Sequence, residues 1–488
     1  MDSTTPHFVL PEDSSLGLRD QICELISSAI TSHTLSPDKR LPSCRELAEQ
    51  LGVSRNTVFS AYNQLIDLGL LVARDRSGYF INPIALSSEE SSEWRNQLVD
   101  NEDTPSPVEF GSFGLAPVDN PLDWKNYPYP FLYNQIDPDL FPVDSWRECT
   151  RLALGRANMS SWRDDAVESD SPHLSQQLRQ RLLSSRGIYA NEDEVLITLG
   201  AQNALFIIGA TFAHKNKPIA MEDPGFPYGL NAFHLTGNEI KGVPVDDEGI
   251  VVSSIPDCQI VFTTPSHQFP TMVTMSQQRR EKLLEAAVEQ DFLIIEDDYE
   301  SEMNYFNSRS TSLRAQDKNN RVIYIGSLSK TVSPGIRLGF IVAHREIIKQ
   351  MRIVRGAMMR HPPTIVQEVV ALFFQLGHYD SHLRNIERRY KQRWHAMNDA
   401  INKHLTMLDK TPTKGGTCFW LTGPAGFNST DLSERLRSRG VLIDVGERFC
   451  LNKDTRSFRL GFAFVPLKKL EEGIKLISEE VTSMLETS

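Results

Sequence analysis

No two cysteines in this chain stand at CxxC spacing: the six, Cys23, Cys44, Cys149, Cys258, Cys418 and Cys450, are scattered along it. That excludes a zinc ribbon or a paired-cysteine redox motif, and it is the pattern of thiols kept reduced. No run of about eighteen apolar residues occurs, so no membrane-spanning helix is expected. The opening MDSTTPHFVLPEDSS lacks the basic segment and apolar core of a secretion signal, and a cytoplasmic location is expected. Nor is the chain basic. Its formal net charge of −12 taken alone argues against a nucleic-acid binder. What is present is an ordinary globular composition, 40% hydrophobic and 23% charged over 488 residues. That length allows about three domains.

The most telling stretch is SLSKTVSPGIRLGF, residues 327–340. The residues before it, RVIYIG, are apolar and β-branched and predict a buried strand. Lys330 then sits just past a strand end, where α/β folds place their ligand sites. A lysine in a small-residue loop loses its proton more readily than one in water, and can attack an aldehyde. Ser327, Ser329 and Arg337 supply hydroxyls and a guanidinium suited to a phosphate. Lysine plus phosphate cradle points to pyridoxal phosphate (PLP) held as a Schiff base. A lone lysine in such a loop is more often simply exposed. The upstream LIIEDDYESE shifts that balance. It predicts an apolar strand ending in carboxylates, with Asp297 placed to face a pyridine nitrogen and Tyr299 to reach the ring hydroxyl.

Here the chain resembles the fold-type I aminotransferases, on an aspartate at one strand end, then SxSK, then an arginine seven residues later. The resemblance covers roughly the last three quarters of the chain, and other segments fit it. EVLITLG reads as a strand and AQNALFIIGATF as a helix, whose N-terminal Gly200, Ala201 and Gln202 are phosphate candidates. Phe226, after PIAMEDPG, is placed to stack on the pyridine ring or to pack in the core. In TPSHQFPTM, His267 is a candidate partner of a ring oxygen or a loop cap, and Met272 replaces the family's usual glycine. In TRSFRLGFAFV, Arg459 matches the arginine that grips a substrate carboxylate, whereas Arg456 reads as a surface salt bridge. Tyr228 stands near where some relatives carry a second substrate-binding arginine. NYPYPFLYNQIDPDLFP resembles the N-terminal arm that such enzymes drape over a partner subunit.

The N-terminal part reads differently. Leu18, Ile22, Leu25, Ile26, Ala29 and Ile30 follow helical spacing. Ser43 and Glu46 form a capping box, Gly52 ends that second helix, and Ser54 caps a third carrying Val58, Ala61, Tyr62 and Leu65 inward. Two short helices around a glycine turn predict a helix-turn-helix, with Arg55, Asn56 and Thr57 at the start of the recognition helix. Leu71 to Arg74 and Tyr79 to Ile81 predict a wing around DRSG. Six basic residues (Lys39, Arg40, Arg45, Arg55, Arg74, Arg76) face four acids (Glu46, Glu49, Asp67, Asp75), a local positive excess within an acidic chain. A small helical protein-interaction domain is the competing reading. LPSCRELAEQLGVSRNTVFSAYNQL resembles the GntR-type winged helix almost residue for residue, with Cys44 where the family usually has serine or threonine.

A winged helix followed by an aminotransferase-like region is similar to the MocR subfamily of GntR-type regulators. The expectation is an α/β protein. A winged helix-turn-helix spans 1–83, with Arg45, Ser54, Arg55, Asn56, Thr57, Arg74 and Arg76 on DNA. A polar linker, 84–125, lets it move. A PLP-binding transferase fold of large and small domains spans 126–488. The resemblance implies a head-to-tail homodimer and an internal aldimine on Lys330. An amine effector then exchanges with Lys330 and repositions the DNA-binding pair on paired half-sites. An active aminotransferase carrying a DNA-binding domain, and a regulator sensing PLP itself, stand as alternatives. The aromatic arm resembles relatives tied to taurine or ectoine-derivative catabolism.

Overall fold

The structure, a computed structural model, describes residues 8–10, 16–32, 34–35, 40–74, 77–82, 115, 120–132, 136–165, 169–213, 217–306, 311–451 and 455–487. The chain divides into two compact units, Met1–Gly111 and Ser112–Ser488. Arg76 and nearly all of the expected linker lie outside the described residues.

In the first unit, helix α1 (Leu18–Thr31) packs against α3 (Arg55–Asp67), which also packs against α2 (Cys44–Leu51). The capping box closes as the sequence predicts. The Ser43 N–H donates to Glu46 Oε2 at 2.6 Å, and the Glu46 N–H donates to Ser43 Oγ at 3.3 Å. Gly52 ends α2 at φ +67, a conformation that costs glycine no steric penalty. Ile22, Ile26, Leu47, Val58, Ala61, Tyr62 and Leu65 form the core. Tyr62 keeps its buried hydroxyl satisfied by donating to the Pro42 carbonyl at 2.8 Å. Strands β1 (Leu71–Arg74) and β2 (Gly78–Ile81) pair antiparallel, Leu71 opposite Ile81, and make the wing.

The second unit holds two sheets. The larger has the order β4 (Val195–Thr198), β11 (Gly339–Val342), β10 (Val322–Ser327), β9 (Leu293–Asp297), β8 (Ile260–Thr263), β5 (Ile219–Asp223), β6 (Ile240–Asp246) and β7 (Gly249–Ile250). Its middle five strands, β10 through β6, run parallel, while β11 and β7 run antiparallel to their neighbours. Strands β4, β8 and β11 are buried at every position, the mark of a sheet covered on both faces. Leu205, Ile208, Phe233, Ile295 and Ile325 are part of one of its cores. The smaller sheet has the order β12 (Asp409–Lys410), β13 (Cys418–Thr422), β15 (Ser457–Gly461), β14 (Val441–Val445) and β3 (Tyr129–Phe131). The long helix His378–His404 and the C-terminal helix Leu470–Thr487 flank it.

Strand β3 places three residues of the expected arm in a sheet of their own chain. Tyr129, Pro130 and Phe131 pair in parallel with Val441, Leu442 and Ile443 of their own chain, and Phe131 is wholly buried. An aromatic edge strand that finds an apolar sheet in its own chain is no longer an exposed liability. No helix among the described residues is long and apolar enough to cross a membrane.

Candidate functional site

Five parallel strands of one sheet bring their C-terminal ends to one rim, and the connections leaving that rim carry the expected site residues. Asp297 closes β9, and Lys330 lies three residues past β10. A cavity of about 280 Å³ opens there. Ala201, Gln202, Phe226, Tyr228, Asp297, Tyr299, Ser327, Ser329, Lys330, Arg337 and Arg459 all line it.

At one end, helix Ala201–Phe212 begins directly after Gly200, whose φ is +81, and no side chain caps it. Its first N–H groups are available to an anion. Arg337 packs directly over this turn. A Cβ at Gly200 would stand 3.4 Å from the guanidinium, and the guanidinium donates to the Leu199 carbonyl at 3.3 Å. Gly339 is needed alongside, because a Cβ there would come within 2.8 Å of the Gly200 backbone. With Ser327 and Ser329 on the same wall, this end suits a phosphate.

At the other end the Asp297 side chain is fully buried, and its Oδ1 has no hydrogen-bond partner. Burial, reinforced by Asp298 and Glu222, raises its pKa to about 7, with Lys330 opposing. Its neighbour Asp298 goes the other way despite burial, since Arg186 at 2.7 Å, Ser266 and Tyr324 hold it ionised. A buried carboxylate oxygen that lacks a donor is matched by a protonated pyridine nitrogen. Tyr299 stands beside it, its hydroxyl donating to Met272 Sδ at 3.8 Å. Met272 itself adopts φ +66, so the loop keeps a glycine-like backbone although the glycine is gone.

Lys330 is 12% exposed, with Nζ 4.0 Å from Glu300 Oε1. Burial lowers its pKa to about 8, with Glu300 pulling upward and Arg459 downward. An appreciable fraction of the amine is therefore unprotonated and nucleophilic near neutral pH. Arg459 is 3% exposed, sandwiched 4.4 Å from the Phe269 ring and 4.5 Å from the Phe449 ring. Its Nε and one terminal nitrogen donate to Asp444 Oδ2 at 3.3 and 3.1 Å. The residues present fit PLP.

His267 is the expectation this geometry corrects. It is buried away from the cavity, among Asp298, Arg186 and Arg280, and burial drops its pKa to about 4. Thr264 and Phe269 of the same loop meet the cavity instead. Thr264 is fixed there because its hydroxyl and N–H both donate to the buried Glu222. Asp444, Arg448 and Phe449 also line the cavity and were missed. Their segment, VLIDVGERF, is an apolar strand with a carboxylate one residue before its end, which marks a strand but not the face it turns to the cavity. Asn120 lines it too, from a polar stretch with no signal. Arg456 is exposed, at a groove lined by segments of both sheets. Among the described residues no cluster of His, Cys, Asp or Glu is placed to hold a metal ion.

In the first unit Ser54 caps α3, accepting the Thr57 N–H at 3.1 Å, so these two side chains shape the turn. Arg55 and Asn56 are exposed on the first turn of α3. Arg45 on α2 is exposed beside Glu49, and Arg74 on the wing lies 4.4 Å over the Phe80 ring. Replacing Arg55 by alanine is expected to weaken operator binding by about tenfold or more, the value of a base contact. PLP uptake should be unchanged. A titration of labelled operator at fixed salt reads the first, and absorbance reads the second.

Comparison with known proteins agrees with this geometry. Residues 137–477 match the family Aminotransferase class I and II, and residues 18–81 match Bacterial regulatory proteins, gntR family. The HTH-type transcriptional regulator TauR of Rhodobacter capsulatus is 36% identical over 96% of this chain and 98% of its own. The probable rhizopine catabolism regulatory protein MocR of Rhizobium meliloti is 28% identical over 96% and 94%. The crystal structure of Pyrococcus horikoshii kynurenine aminotransferase superposes with a TM-score of 0.70 at 29% identity, covering 74% of this chain and 93% of its own. A gntR-type winged helix joined to a class I and II aminotransferase domain places this chain in the MocR subfamily of GntR-type transcriptional regulators.

Proposed function

We propose that the protein is a PLP-dependent, DNA-binding transcriptional regulator that senses a small amine through exchange at Lys330. The observation that carries this is the convergence on one cavity of a buried lysine, a buried carboxylate oxygen lacking a donor and an uncapped helix N-terminus. The same chain carries an exposed recognition helix. When bound, PLP supplies an aldehyde that condenses with primary amines. The protein's own residues do the rest. Ala201, Gln202, Ser327, Ser329 and Arg337 would hold the phosphate, Asp297 the pyridine nitrogen, Tyr299 the ring hydroxyl, and Phe226 one ring face. Arg459, with Tyr228 nearby, orients the effector's acidic group. With PLP held there, Lys330 would be released as a free amine when an effector amine binds, and the two sheets of the second unit would adjust to that change. Ligands shift such an equilibrium only through their differential affinity for its two states. We further propose a head-to-tail homodimer acting in the cytoplasm on paired half-sites.

A second reading, a working aminotransferase, draws on the same Lys330, Asp297 and Arg459. One experiment separates them: visible absorbance of the PLP-loaded protein titrated with amino acids, GABA, taurine and diamino acids. A sensor gives a shifted band that persists with one class of amine. An enzyme gives decay to the pyridoxamine form and recovery with a keto acid. No cofactor band at all contradicts the role of Lys330.

A further inference from the structure

Glu300 has no part in the roles given above, yet it is the carboxylate nearest Lys330. Three residues past the end of β9, its side chain is 0% exposed. Oε1 accepts from the Thr417 hydroxyl at 2.7 Å and Oε2 from the Thr417 N–H at 3.1 Å. Oε1 also lies 4.0 Å from Lys330 Nζ. Thr417 directly precedes β13 of the smaller sheet. Its neighbours stitch the same two segments together: the Gly416 N–H donates to the Met303 carbonyl at 2.7 Å, and the Tyr305 hydroxyl donates to the Gly416 carbonyl at 3.1 Å. Gly416 sits at φ +78, with Glu300 Oε2 only 3.4 Å from where a Cβ would be.

A carboxylate taken this far from water is costly unless a cation answers it. We propose that Glu300 is a positioning residue for Lys330: it receives the lysine's ammonium whenever an effector amine holds the cofactor, and through Thr417 it ties that state to the smaller sheet. This rests on the reading that PLP is carried by Lys330. With PLP bound, the exchange would balance: the effector would enter as an ammonium ion and Lys330 would leave as one, Nζ taking up the three hydrogens the effector nitrogen gives up, opposite Glu300. The charged and titratable groups facing Lys330 are Glu300, Arg459, Cys418, Asp444 and Asp297. Those facing Glu300 are Lys330, Arg459, Tyr299, Tyr305, Tyr390 and Cys418. Asp444 pairs with Arg459, Asp297 faces the pyridine nitrogen in the reading above, and Glu300 is the carboxylate within 4.0 Å of Lys330 Nζ.

The test is the rate at which apoprotein captures PLP as a function of pH, quenched with borohydride and read by intact mass. Wild type should show a midpoint near pH 8, where Lys330 loses its proton. In Glu300→Gln the midpoint should fall by about one unit, the effect of removing a nearby opposite charge. Capture at neutral pH then becomes about fivefold faster. Displacement by the effector should need about tenfold more amine, because the released ammonium has lost its partner. Glu300→Asp, which keeps the charge one methylene further off, should shift both readings less, and it decides the matter if the glutamine variant does not fold. An unchanged midpoint in whichever of these variants folds overturns the inference while leaving PLP on Lys330. Failure of wild type to capture PLP on Lys330 at any pH instead overturns the reading beneath it, and the inference falls with it.

Discussion

Replacing Lys330 by alanine is expected to abolish covalent PLP attachment and the response to effector together. Operator affinity without effector should stay within about twofold of wild type, since phosphate and base contacts set it. The reasoning is local. Lys330 is the lysine lining the cavity, and its burial favours the unprotonated amine. PLP can still lodge in the variant through the helix N-terminus and Asp297, so loss of cofactor is not what is tested. The variant lacks the exchange itself: an added amine can still condense with a free aldehyde, but it releases no lysine, and the account ties the response to that release. Borohydride reduction followed by intact mass should show no added pyridoxyl group, and operator titrations with and without amine should superimpose. A variant that still responds would mean that the effector works by another route.

Asp297→Asn is expected to have the second-largest effect, with opposite signs on two readings. PLP affinity should fall about ten- to hundredfold, the value of a hydrogen bond to a charged partner. The apoprotein, in contrast, should become more stable. Burial raises the Asp297 pKa to about 7, well above its unfolded value. For an acid shifted upward, the folded state binds the extra proton. Stability is then undiminished at low pH and is lost as pH rises from about 4 through about 7, where the buried charge is fully developed. Asparagine removes that loss, so apo melting temperatures of variant and wild type should diverge above neutral pH and converge in acid. Wild-type PLP binding should strengthen as pH rises through about 7, and the variant should keep only the rise near pH 8 that Lys330 gives. Equal melting curves at alkaline pH would mean that Asp297 is satisfied without the cofactor.

The sequence carried the N-terminal unit almost whole, because caps and helical spacing are local signals. The box at Ser43 and Glu46, the turn at Gly52 and the wing all sit where their residues predict. The Lys330 and Asp297 segments were legible for a related reason. A β-branched run followed by small or charged residues marks the end of a parallel strand, and such ends gather at one rim. His267 was misplaced because its loop turns inward on Thr264 and Glu222, which is a matter of packing and not of spacing. Asp444 and Arg448 escaped because their strand lies in the other sheet, and nothing in VLIDVGERF says that β14 faces the cavity. Strand β3 was not legible as a strand because its partner, β14, lies more than three hundred residues away. Glu300 stood two residues past Asp298 in the same motif, and only the fold brings Thr417 to it.

The measurement that tests the central claim most directly is operator affinity of the PLP-loaded protein at fixed salt, with and without the amine that shifts its absorbance. The account predicts a change in affinity with wild type, with the amine recovered unchanged afterwards. An unchanged operator affinity, or an amine converted to its keto acid while the affinity stays constant, would contradict it.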